Sequence, residues 1–205
     1  MTPVPKSTAQ RAAIGIKTHS GWAALVAVEG TFPTPKILAR QRIELIETND
    51  GASQPYHHAK QLKFAEAKEY LDRTAAISRR LAKNALQQAA ARLHERNYEL
   101  TGCGILLASG RPLPSLEEIL ASHPLMHAAE GEFFRAAVRD ACRELNIPDT
   151  GVKEKEIFDK SSSKFGVEVS VIKAQLTILG RSVGSPWTGD QKQAALAALL
   201  RLAGP

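Results

Sequence analysis

The chain has 205 residues with a formal net charge of +6, 43% hydrophobic and 23% charged residues, and two cysteines. This is ordinary globular composition for one α/β domain. It excludes a disordered chain, a disulfide scaffold and, with no apolar run long enough to span a bilayer, a membrane segment. The basic surplus favours anionic partners such as nucleic acid or phosphates, but the absence of a dense Lys/Arg block favours an inert basic surface over such a partner.

Residues 1–11 contain Pro and Lys but no apolar signal core, so we expect a frayed N-terminus ahead of a single domain over residues 12–205, located in the cytoplasm. Ala12–Thr18 reads as a first strand, His19-Ser20-Gly21 as a turn and Trp22–Val28 as its hairpin partner. Lys36–Ile46 alternates between an apolar face and a charged face, as a half-exposed third strand does. Tyr56–Asn97 contains neither Pro nor Gly, and Leu71, Ala75, Ala82, Leu86, Ala89 and Leu93 recur at helical spacing. This predicts one long helix, or two nearly continuous ones broken near Phe64, and an overhanging end that would suit homo-oligomerisation.

Leu100–Ala108 is a short apolar run bounded by glycines and a proline, hence a buried strand. Ser115 with Glu118 forms a capping pattern for a short helix. Pro124 suits the first turn of the next helix, which should run to about Leu145. A short strand near Gly151–Glu154 follows, then helices over Lys155–Phe165 and Val169–Leu179, the latter stopped by Gly180. Thr188 and Gln191 cap a last helix with Ala195, Ala198, Leu199 and Leu202 as its buried stripe.

Three hairpin-connected strands, a helix, a strand, a helix, a short strand and further helices make an order that resembles the ribonuclease H-like fold. That group includes Holliday-junction resolvases and, more distantly, actin-like ATPase halves. The hairpin of Ile14-Gly15-Ile16, Gly21 and Trp22-Ala23-Ala24-Leu25 carries the resemblance best. It implies a mixed sheet, antiparallel at first and then parallel, flanked by helices, with the Leu100–Ala108 strand parallel to the first. In the nuclease families the polar position of the first strand is a metal-binding Asp; here it is Lys17, and Asp190 corresponds to the late acid of the set. A lysine ammonium offers donors and no lone pair, so the expectation is a domain without two-metal nuclease chemistry. The hairpin His19-Ser20-Gly21-Trp22 and the segment Pro186-Trp187-Thr188 also resemble bacterial proteins of unknown function.

Open α/β sheets place their sites past the carboxyl ends of the strands. Lys17, His19 and Ser20 end the first strand there, Ser109 and Arg111 follow the central one, and Asp190 opens the last helix. Together these are candidate ligand-binding residues for nucleic acid or a phosphate-bearing small molecule. His127 and Glu130, three apart on one face of the predicted helix, are a candidate acid/base pair. The alternative is a structural Glu130 that satisfies backbone donors and pairs with Lys17 or Arg111. His123 and His127 would need a third ligand to hold a metal, and His57-His58 in its polar segment reads as solvated. No metal site and no cofactor are expected. Trp187 has two open readings, packing and stacking on a base.

Overall fold

Alternation along the first strand decides which helices cover which face of the sheet. In a computed structural model describing residues 9–47, 53–108 and 112–204, strand β1 runs Gln10–His19, β2 Trp22–Glu29 and β3 Lys36–Glu44. Ala12, Ile14 and Ile16 point into one core; Ala13, Gly15 and Lys17, the intervening residues, point to the other side. Helix α1 (Pro55–Ala59) and helix α2 (Phe64–Glu95) lead to β4 (Tyr98–Leu107). Helices α3 (Leu116–Ala121) and α4 (His123–Glu144) precede β5 (Asp149–Lys153). A 3-10 turn over Glu154–Glu156 leads into α5 (Ile157–Phe165), α6 (Val169–Val183) and α7 (Gly189–Leu202).

The strand order is β3-β2-β1-β4-β5. The first three strands are antiparallel neighbours, while β1 with β4 and β4 with β5 pair in parallel. The mixed sheet expected from the sequence is therefore present, with the central strand beside and parallel to the first. The carboxyl ends of β1, β4 and β5 consequently lie along one edge of the molecule.

Helices α2 and α4 cover one face. The stripe Ala82, Leu86, Ala89 and Leu93 of α2 meets Phe134, Val138 and Ala141 of α4 over Ile14, Ile16, Leu25 and Ile105. Each such large side chain contributes about 1.5–3 kcal/mol on burial. The apolar stripe of α2 is thus used inside its own domain. The expected break near Phe64 is present, since α1 stops at Ala59 and α2 begins at Phe64.

The opposite face is covered by α5, α6 and α7. Here α7 lies backbone-to-backbone on the sheet. Gly15 and Gly104 are paired neighbours in β1 and β4. A Cβ on Gly15 would fall 1.7 Å from the Ala194 carbonyl oxygen, and one on Gly104 2.2 Å from that of Ala197. Two bare positions in the sheet and four alanines in the helix (Ala194, Ala195, Ala197 and Ala198) make this approach possible.

Both capping patterns form. Ser115 accepts from the Glu118 amide at 3.3 Å while Glu118 accepts from the Ser115 amide at 3.0 Å, and Gln191 accepts from the Thr188 amide at 2.7 Å. The end of α6 differs from expectation: the helix passes through Gly180 and stops at Val183, where Gly184 takes a positive φ of 71°. Gly180 is needed for clearance, because a Cβ there would meet the Trp187 ring at 2.3 Å. The Trp187 indole N–H donates to the Leu176 carbonyl at 2.6 Å, so this ring packs against α6. Among the described residues no helix is long and apolar enough to cross a membrane.

Candidate functional site

Two groups of polar side chains stand near the carboxyl edge of the sheet. The first is built on β1. The alternation that turns Ala13 and Gly15 toward α7 also turns Lys17 that way, and its side chain is only 13% exposed. Its Nζ donates to Glu154 Oε1 and to Gln193 Oε1, both at 2.6 Å, and lies 3.3 Å from Asp190 Oδ1. Glu154 follows β5 directly; Asp190 and Gln193 lie on the first turns of α7, which the glycine contacts hold against the sheet. His19 Nε2 approaches the same Asp190 oxygen at 3.1 Å. Its ring stacks on Trp22 with centroids 4.3 Å apart, and the Arg42 guanidinium lies over that indole at 4.1 Å.

The structure therefore brings together Lys17, His19 and Asp190, with Glu154 and Gln193 beside them. Ser20 is exposed in the turn between β1 and β2. Ser109 and Arg111 lie outside the described residues. The donor set does not fit the pair of divalent ions used by the resembled nuclease families. The Lys17 ammonium already stands among the carboxylates, and a fixed positive charge at that distance opposes a dication.

The second group is built on α4. His123 and His127 are one turn apart on one face of the helix, with Glu130 following at the next turn. Glu130 is 2% exposed. The sequence predicts Lys17 or Arg111 as its partner. Instead, Glu130 Oε1 lies 2.7 Å from His57 Nδ1 and accepts from the His57 backbone N–H at 3.3 Å. Lys17 is committed to Glu154, Gln193 and Asp190 on the α7 side of the sheet, where β1 alternation puts it. His127 Nδ1 lies 3.7 Å from the other Glu130 oxygen.

The polar segment around His57 predicts a solvated side chain, yet the structure draws this ring to α4. His57 sits on the short helix α1, where its amide belongs to the first turn and has no partner inside the helix. Glu130 supplies that partner, and the pairing draws the imidazole to α4. The three rings of His57, His123 and His127 stand with centroids 4.5 to 5.1 Å apart. Burial, and then the Glu130 charge, push the neighbouring Tyr56 hydroxyl above its ordinary pKa. Nothing local marks His57, since its partner is 73 residues away in sequence.

Comparison with known proteins gives no matching family model and no matching curated protein. Solved structures do match. RuvC from Thermus thermophilus in complex with a Holliday junction substrate is 15% identical, with 92% of this chain and 90% of that chain covered and a TM-score of 0.51. A second structure of Thermus thermophilus RuvC is 13% identical, with 92% and 91% covered and a TM-score of 0.49. Taken with the strand order and the mixed pairing, the first of these likenesses identifies the fold of this chain as a divergent ribonuclease H-like fold.

Proposed function

We propose that this protein is a nucleic-acid-binding domain of ribonuclease H-like fold that holds its ligand at the carboxyl edge of the sheet without two-metal cleavage. The observation that carries this reading is the Lys17 ammonium, 2.6 Å from Glu154 and 3.3 Å from Asp190. A lysine fills the place from which the nuclease families present a carboxylate, so the edge keeps its architecture and loses its means of holding dications. The solved complex of the similar fold with a Holliday junction substrate and the net charge of +6 support nucleic acid as the anionic ligand. Lys17, His19 and Asp190, with Arg42 stacked on Trp22, are the residues we assign to that edge.

The acid/base alternative has less support. Glu130 is buried and engaged by His57, so it has no route to a substrate. The test is a salt titration of binding to four-way junction, duplex and single-stranded DNA, run beside a cleavage assay with Mg²⁺ or Mn²⁺. We expect binding whose logarithm falls linearly with log salt, at a slope of about −0.9 per phosphate neutralised on duplex, and no cleavage. Metal-dependent cutting that Asp190→Asn abolishes would defeat the reading, and so would the absence of salt-dependent binding to all three DNAs.

A further inference from the structure

We propose that His57, His123 and His127 form a binding site for a divalent transition-metal ion, zinc above all, with Glu130 as the carboxylate that orients His57. Each ring offers one ligand nitrogen, and these nitrogens all lie within 4.8 Å of one another. Tetrahedral bonds of about 2.0–2.1 Å would set them about 3.4 Å apart. Small rotations of His123 and His127, both exposed on α4, close that difference.

The surroundings are those of a metal-bearing histidine. A ligating imidazole usually gives its other N–H to a carboxylate, which fixes the tautomer and aims the free lone pair. His57 does this: Nδ1 faces Glu130 at 2.7 Å, leaving Nε2 as the ligand atom. The second oxygen of Glu130 faces His127 Nδ1 at 3.7 Å and favours the same tautomer there. A buried carboxylate normally has a cationic partner, yet among the described residues no Lys or Arg pairs with Glu130, whose ion-pair neighbours are these two histidines. A dication on the imidazoles would supply the missing positive charge.

Imidazole donors select zinc and its late first-row neighbours over Mg²⁺ and Ca²⁺, which prefer oxygen. Three nitrogens complete a structural tetrahedron only with a fourth ligand. Because two of the three rings are solvent-exposed, the fourth position opens to water or to an incoming ligand. The site stands apart from the Lys17 cluster, so the proposal is independent of nucleic-acid binding.

The experiment uses the full chain without an affinity tag, stripped with a chelator. Zn²⁺ is titrated in competition with a chromophoric chelator, and Co²⁺ is followed by its visible absorption. We expect one equivalent bound and not displaced by excess Mg²⁺. Binding should be abolished by His123→Ala or His127→Ala, at exposed positions where the fold survives. It should be weakened about 10–100-fold by Glu130→Gln and unchanged by His58→Ala. Circular dichroism of each variant separates lost binding from lost folding, and His123→Gln provides a second, conservative version. No binding by the native chain would overturn the proposal, as would binding that survives His123→Ala and His127→Ala in folded protein.

Discussion

Replacing Glu130 separates its shape from its charge. The carboxylate accepts two hydrogen bonds from His57, one from the ring and one from the first-turn amide of α1, in a site that is 2% exposed. Glu130→Ala removes a charge-assisted bond of about 1.5–3 kcal/mol and orphans an amide at about 1–3 kcal/mol. Partial access of His57 to water offsets some of this, giving roughly 3–4 kcal/mol. Glu130→Gln keeps an acceptor in the same place and forfeits mainly the charge assistance, about 1 kcal/mol. For a domain of this size 1 kcal/mol moves Tm by about 2–4 °C. The Ala variant should thus melt roughly 6–16 °C lower and the Gln variant roughly 2–4 °C lower. Calorimetry with a chelator present removes any contribution from bound metal. An Ala variant that melts with the native chain would refute the pairing, and a Gln variant as damaged as Ala would show that charge rather than acceptor geometry holds α1 to α4.

Gly15→Ala should cost at least the about 1–3 kcal/mol usual for overpacking, because the new Cβ would meet backbone at 1.7 Å and 2.9 Å on α7; an unchanged urea midpoint would contradict this helix placement. Lys17→Asp would set three carboxylates together at the sheet edge. Mg²⁺ should then raise the Tm of that variant, corresponding to about 2.7 kcal/mol at a hundredfold excess over Kd, while leaving the native chain unaffected. The Cys142 sulfur beside it, followed by burial, raises the Cys103 thiol well above its ordinary pKa, and the Tyr56 hydroxyl is raised as well. Both groups hold their protons more tightly in the folded state. Their contribution is therefore complete below pH about 8, under the unfolded Cys value of about 8.5, and is lost as pH rises from the unfolded toward the folded values. Denaturant titrations from pH 8 to about 11 should show falling stability, with a shallower slope in Tyr56→Phe. Both cysteines are buried, so thiol reagents should label neither until the protein unfolds.

Elements whose signals are local were legible in the sequence. Ser115 and Thr188 cap as their neighbours dictate, and a Pro- and Gly-free stretch too long for one ordinary globular helix pointed to the break near Phe64. The parallel pairing of β1 and β4 followed from element order. Long-range satisfaction was what the sequence concealed. His57 sits in a polar segment whose composition says solvent, and only folding brings Glu130 to its amide. Lys17 finds Glu154 across the sheet edge, 137 residues away. At Gly180 a local rule for ending helices was overruled by the Trp187 ring, which needed the space.

The seating of α7 on β1 also dictates when the fold can close during synthesis. The face formed by Ala13, Val26, Val28, Leu106 and Val152 is covered largely by Ala194–Leu199, so most of the chain emerges from the ribosome before its lid exists. Until residues 189–202 follow, the nascent sheet carries an uncovered apolar surface, the kind that recruits holding chaperones or drives aggregation. A ribosome stalled before Gly189 would display a chain with the α2–α4 side able to assemble and the opposite side left with α5 and α6 but without the helix that seats on its strands, and hence a strong substrate for quality control.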